Sequence, residues 1–137
     1  MKIVLDTNVL VAGLLSPFGS PAKVLQLLLT GKVALCYDTR VLAEYREVLG
    51  RPKFGFSKDL TNAVLDYIEQ TGNLTAPTPW PLELPDPDDA VFLEVAAAGG
   101  ADYVVTGNVR HFPSRKRRGI EVVTPAQYIK FPGVKAL

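Results

Sequence analysis

Apolar and polar residues along this chain fall into blocks of two kinds. Short apolar runs, KIVL (residues 2–5), VALCY (33–37), DYVVT (102–106) and IEVVT (120–124), have the length and β-branched content of buried strands. Between them lie longer segments whose apolar residues recur every three or four positions. These are SPAKVLQLLLTG from Ser20, TRVLAEYREVLG from Thr39, SKDLTNAVLDYIEQTG from Ser57, DPDDAVFLEVAAAGG from Asp86, and a short PAQYIKF from Pro125. Such alternation predicts a parallel sheet with helices on both faces. Ser20-Pro21 and Asp86-Pro87 read as a cap followed by a first-turn proline, and Gly31, Gly50, Gly72 and Gly99 fall where helices should stop. The proline-rich TAPTPWPLELP (75–85) reads as an extended connection, with an edge strand near residues 74–77.

One apolar block is interrupted. After Ile3, Val4 and Leu5 come Asp6, Thr7 and Asn8, and only then Val9, Leu10 and Val11. In an open parallel sheet, ligands bind beyond the carboxyl ends of the strands, and Asp6 is the residue at which the first strand ends. Two other acids sit against the pattern. Glu44 lies within about 60° of the Val41–Tyr45–Val48 stripe on a helical wheel, whereas Glu47 points away from it. Asp89 falls in the middle of the Phe92–Leu93–Ala96 stripe at the start of its helix, where the helix dipole explains tolerance of negative charge but not the inward direction. Asp86 reads as an N-cap and Asp88 as a first-turn acid. The strand ending in TGN brings Thr106 and Asn108 to the same rim.

Asp6, Glu44, Asp89 and Asn108 are therefore expected to converge. Two bare carboxylates ~4 Å apart repel by about 4 kcal/mol at an effective dielectric near 20, so such a cluster calls for a cation. Hard oxygen donors suit Mg²⁺ or Mn²⁺.

The bulk numbers admit this picture and exclude others. The chain has 137 residues, enough for one core, and is expected to form a single domain over 1–137. With 47% hydrophobic and 21% charged residues it is neither disordered nor membrane-like. Asp6 and Asn8 break the only stretch resembling a secretory leader, and no apolar run approaches the ~18 residues of a membrane span. The lone Cys36 cannot form an intrachain disulfide and reads as core, which fits a reducing cytoplasm. The net charge of +1 predicts no partner, but its distribution is uneven. RHFPSRKRR (110–118) is wholly basic apart from neutral residues, while Glu83, Asp86, Asp88, Asp89 and Glu94 crowd an earlier stretch.

VLDTNVLV, VLAEYREVL, DPDDAVFLEVAAAGGADYVVTGN and the closing IEVVTPAQYI, in this order and spacing, resemble the PIN-domain ribonucleases over essentially the whole chain. The likeness is to their small single-domain, VapC-like toxins of toxin–antitoxin systems. The resemblance implies a three-layer α/β/α fold with a central parallel sheet, an acidic centre binding Mg²⁺ or Mn²⁺, and endonucleolytic cleavage of RNA. The family's acids match Asp6, Glu44 and Asp89. Its fourth acid, usually the Asp of TGD, is Asn108 here, which keeps an oxygen donor but removes a charge.

These acids with a divalent ion imply phosphodiester hydrolysis by in-line attack of water, leaving a 5′-phosphate and a 3′-hydroxyl. Thr7, Asn8 and Thr106 read as groups supporting the ligands or contacting phosphate, with helix capping the rival role for Thr7 and Asn8. Asp88 reads as a supporting or solvated acid. Arg110, Arg115 and Arg117 read as phosphate contacts of little sequence selectivity, against a merely solvated loop. His111 is not needed as a general base if a metal activates the water. Trp80 reads either as a base-stacking platform or as packing over an apolar edge. Apolar excess in VLQLLLTG and AVLDYIEQ suggests a homodimer or higher homo-oligomer, with an antitoxin using the same surfaces or reaching the acids. Two rival readings stand beside the ribonuclease. A haloacid-dehalogenase-like phosphatase would want an Asp where Asn8 stands, and a catalytically impaired PIN-like protein, weakened at Asn108, would bind RNA or a partner without turnover.

Overall fold

A computed structural model of the protein describes residues 1–80 and 84–137, so Glu83 of the acidic stretch lies outside the described residues. The first strand, β1 (Lys2–Leu5), is followed by α1 (Thr7–Leu15), α2 (Ser20–Leu29), β2 (Ala34–Tyr37), α3 (Thr39–Leu49), α4 (Lys58–Thr71) and the two-residue β3 (Asn73–Leu74). A 3₁₀ turn over Pro87–Asp89 leads into α5 (Ala90–Gly99) and β4 (Tyr103–Val105). Two further 3₁₀ turns, Val109–His111 and Ser114–Lys116, precede β5 (Val122–Val123), α6 (Pro125–Tyr128) and α7 (Pro132–Lys135).

The strands form one parallel sheet in the order β3-β2-β1-β4-β5, flanked by helices, as the alternation predicts. Ile3 pairs with Leu35 on one side and Tyr103 on the other. Ile3, Val4, Leu5, Val104 and Val105 are all but fully buried, which is why the central strands read as unbroken apolar runs. The chain winds outward from β1 to β2 and β3, then returns to place β4 on the other side of β1. The crevice beyond the carboxyl ends of β1 and β4 is therefore the topological switch point.

Several local expectations shift. The residue before α2's first turn is Gly19 rather than Ser20, and it makes no side-chain cap, because Ser20 is already helical. Asp86 does cap, its carboxylate accepting the Asp88 N–H at 3.0 Å, but the segment it opens is a 3₁₀ turn, and the α-helix begins only at Ala90. The edge strand is Asn73–Leu74, and α7 is an element the periodicity does not reveal, being only four residues long. The left-handed residue after α5 is Gly100, φ 64°, one position beyond the expected stop.

Gly99 has a different reason to be glycine. A Cβ there would lie 2.8 Å from Cys36 Sγ, which is itself completely buried on β2. That absent methyl lets α5 dock on the sheet and so sets where Asp89, at the other end of the helix, meets the rim. Gly99→Ala should cost about 1–3 kcal/mol, since neither the helix nor the buried thiol can give way freely. Urea unfolding of the variant against the parent protein measures this.

Candidate metal centre

Asp6 leaves β1 at the switch point and becomes the N-cap of α1. One carboxylate oxygen accepts the Asn8 N–H at 3.3 Å, and the other accepts the Thr106 hydroxyl at 2.6 Å, from the residue directly after β4. The backbone reinforces this bridge, with Asp6 N–H donating to the Val105 carbonyl at 3.0 Å. Capping of α1 thus falls to Asp6 itself rather than to Thr7 or Asn8. Thr106 is fully buried, and its hydroxyl oxygen also accepts the Asn108 N–H at 3.0 Å, which ties the TGN turn to Asp6.

Glu44 is half-buried on α3, whereas Glu47 is exposed, as the wheel predicts. The Thr7 hydroxyl donates to Glu44 Oε2. Next to Glu44, the wholly buried Tyr45 donates its hydroxyl to the Leu5 carbonyl, pinning α3 to the end of β1. Burial, and then the charges of Asp6, Glu44 and Asp38, push this phenol well above its ordinary pKa, so it stays a neutral donor.

Asp89 ends the Pro87–Asp89 turn and is only 8% exposed. Burial, together with the charges of Asp6 and Asp86, raises its carboxyl from 3.8 to about 6, with His111 pulling the other way. His111 Nδ1 stands 3.1 Å from Asp89 Oδ2. One ligand atom each of Asp86, Asp89 and His111 lies within 4.8 Å of the other two. Asp86 caps as its sequence position predicts, and His111 joins it beside Asp89. The signal that links them is the three-residue 3₁₀ turn after Asn108, too short for a periodic pattern.

Buried acids elsewhere are neutralised. Arg40 reaches Asp38 at 2.7 Å and Glu94 at 2.8 Å, and Glu94 also accepts the Trp80 backbone N–H at 2.7 Å. No lysine or arginine among the described residues forms an ion pair with Asp6, Glu44 or Asp89. An excess of oxygen donors, two of them held by threonine hydroxyls and one beside an imidazole, is chemistry that fits a divalent cation.

The remaining expected groups spread along the rim. Asn8, Asp88, Asn108, Arg110 and Arg115 are exposed. Arg117 is half-buried and donates through Nε to the Phe112 carbonyl at 2.6 Å, bracing the basic loop from inside. Trp80 packs against the core with the Arg118 guanidinium 4.3 Å from its ring centre, the edge-packing alternative.

The sequence profile described as PIN domain matches residues 2–110. Among solved structures, the chain is similar to VapBC2 from Rickettsia felis bound to a DNA fragment from its promoter. That likeness has 18% identity and a TM-score of 0.59, covering 90% of this chain and 98% of that one. It is also similar to FitAB bound to a DNA fragment, with 18% identity and a TM-score of 0.61, covering 90% of this chain and 94% of that one. At such identity these likenesses are of fold. A search of curated proteins returns no match.

The raised Asp89 carboxyl has a consequence for stability. Its folded pKa of about 6 exceeds its ordinary 3.8, so between those values the folded state holds more protons than the unfolded one. Stability from this group is present at low pH and is lost as pH rises through about 6. In metal-free buffer, Asp89→Asn should be more stable than the parent protein at pH 7.5 by about 1–3 kcal/mol, with the difference shrinking towards pH 4. Chemical denaturation at the two pH values, with chelator present, checks both the sign and the window.

Proposed function

Because the chain belongs to the PIN-domain family, we propose that it is a Mg²⁺- or Mn²⁺-dependent endoribonuclease, the toxin component of a toxin–antitoxin pair. One observation carries the reading: Asp6 bridges the ends of β1 and β4 through Thr106 and adds its charge to the raised Asp89 carboxyl, Glu44 is held by Thr7, the residue after Asp6, and no lysine or arginine among the described residues pairs with any of the three, while the other buried acids, Asp38 and Glu94, share Arg40. Asp6, Glu44 and Asp89 hold the cation, with the Asn108 amide as a neutral donor. When bound, the ion supplies Lewis-acid stabilisation of phosphoryl charge and an activated water for in-line hydrolysis to a 5′-phosphate and a 3′-hydroxyl.

The chain's own residues do the positioning. Thr106 and the Asn8 N–H each hold one oxygen of Asp6 and so fix the orientation of the carboxylate. Thr7 does the same for Glu44. Exposed Arg110 and Arg115, on the loop that leaves the TGN turn, draw RNA phosphates to the rim by charge, giving affinity that falls with salt.

Residues 1–137 act as one domain, in the cytoplasm. No helix among the described residues is long and apolar enough to cross a membrane. An apolar groove of about 190 Å³ between α2 and α4, lined by Leu25, Leu28, Leu29, Val64, Tyr67 and Ile68, supports a homodimer or an antitoxin seated on these helices. The DNA-bound state of VapBC2 and FitAB supports an antitoxin that carries the pair to DNA.

The second reading, a binder that has lost turnover, is favoured by one feature, the neutral and exposed Asn108. Labelled RNA incubated with Mn²⁺ separates the two. The parent protein should cut it, and Asp6→Asn should lose at least about 100-fold, more than supporting groups are worth. Thr106→Ala should lose about 10–100-fold. Equal background from the parent protein and Asp6→Asn contradicts the nuclease and leaves the binder.

A further inference from the structure

We propose that His111 Nδ1 is a direct ligand of the metal centre, beside Asp86 and Asp89, and that this nitrogen donor tilts the centre towards Mn²⁺, Co²⁺ or Zn²⁺ and away from Mg²⁺. The proposal rests on the metal-dependent reading above and names which of this chain's residues set the ion's identity.

The closest pair has the spacing of two donors on one ion. Two ligands about 2.1 Å from a metal are ~3.0 Å apart when at right angles and ~4.2 Å apart when opposite. His111 Nδ1 and Asp89 Oδ2 are 3.1 Å apart, and the Asp86 oxygen completes a set lying within 4.8 Å. Each member is held in place. Asp86 Oδ1 accepts the Asp88 N–H at 3.0 Å, which orients the carboxylate. The His111 N–H donates to the Asn108 carbonyl at 2.9 Å, closing the 3₁₀ turn that carries the ring back over Asp89. The next residue, Phe112, is fully buried, and its carbonyl is clamped by Arg117, so the turn is anchored rather than swinging. With 42% of its side chain exposed, His111 remains open to an ion arriving from solvent.

The chemistry points the same way. Asn108 offers only a neutral oxygen, whereas Mg²⁺ depends on hard anionic donors. An imidazole three residues later restores a strong donor of a different kind. Borderline transition ions accept imidazole readily, whereas Mg²⁺ does not. A bare Asp–His ion pair is the competing account of the 3.1 Å contact, and it predicts no response of the ring to metal beyond a change in protonation.

His111 is the only histidine in the chain, so an untagged ¹⁵N-labelled protein gives one imidazole spin system. Zn²⁺ added to one equivalent should shift its Nδ1 resonance to a metal-bound position and lock the ring with the proton on Nε2, while millimolar Mg²⁺ should leave it in place. By calorimetry, His111→Ala and Asp86→Asn should each lower Mn²⁺ and Zn²⁺ affinity about tenfold or more and change Mg²⁺ affinity by less than about threefold. An imidazole signal that does not move with Zn²⁺, whether or not the ion binds elsewhere, overturns the proposal. The two readings fail separately. A silent imidazole in a protein with intact Asp6-dependent cleavage removes this ligand alone. A metal-shifted imidazole without Asp6-dependent cleavage keeps the ligand and removes the ribonuclease.

Discussion

Like charge held at one end of a parallel sheet is the constraint around which this molecule is arranged. The strands β1 and β4 finish side by side, and the residues directly after them are not apolar filler but Asp6 and Thr106, joined at 2.6 Å. Glu44, half-buried, comes in from α3, and Asp89, buried, from the turn before α5. Tyr45 fastens the first to Leu5, and the glycine contact of Gly99 with Cys36 seats the second. A fold that only needed stability would have placed an arginine here, as it does where Arg40 joins Asp38 to Glu94. Burial first, and then the charges of Asp6 and Asp86, raise the Asp89 carboxyl, with His111 opposing.

That contrast between two acidic sets separates structure from function within one small chain. Asp38 and Glu94 are as buried as Asp6, yet a guanidinium and backbone donors satisfy them, so they hold α3, α5 and Trp80 together. Asp6 and Glu44 are oriented instead by threonine hydroxyls, which fix direction without cancelling charge, and Asp89 stands beside His111. Such an arrangement keeps donor capacity for a divalent cation.

Much of this was legible in the residues. β1 could be read to the residue, because Ile3 to Leu5 are buried on every side and Asp6 stops the run. The inward lean of Glu44 and Asp89 came from helical spacing, since each shares an arc with core residues. What spacing cannot convey is partnership across the fold. Glu94 looked like one more acid of a crowded stretch because Arg40 lies far away in sequence, and periodicity offers no sign that the two meet. Asp86 caps as its position predicts, but the direction of His111 is not legible, because it closes a three-residue 3₁₀ turn where no face repeats often enough to show one. Ser20 is the first helical residue rather than the cap, because Gly19 adopts the extended entry conformation before it.

A Mn²⁺-soaked crystal read by anomalous diffraction tests the central claim most directly. The account predicts one strong peak in the crevice between the ends of β1 and β4, with carboxylate oxygens of Asp6 and Asp89 about 2.0–2.3 Å away and Glu44 bound directly or through one water. A crevice without a peak at saturating Mn²⁺, or a peak bound only by acids elsewhere on the surface, would contradict it.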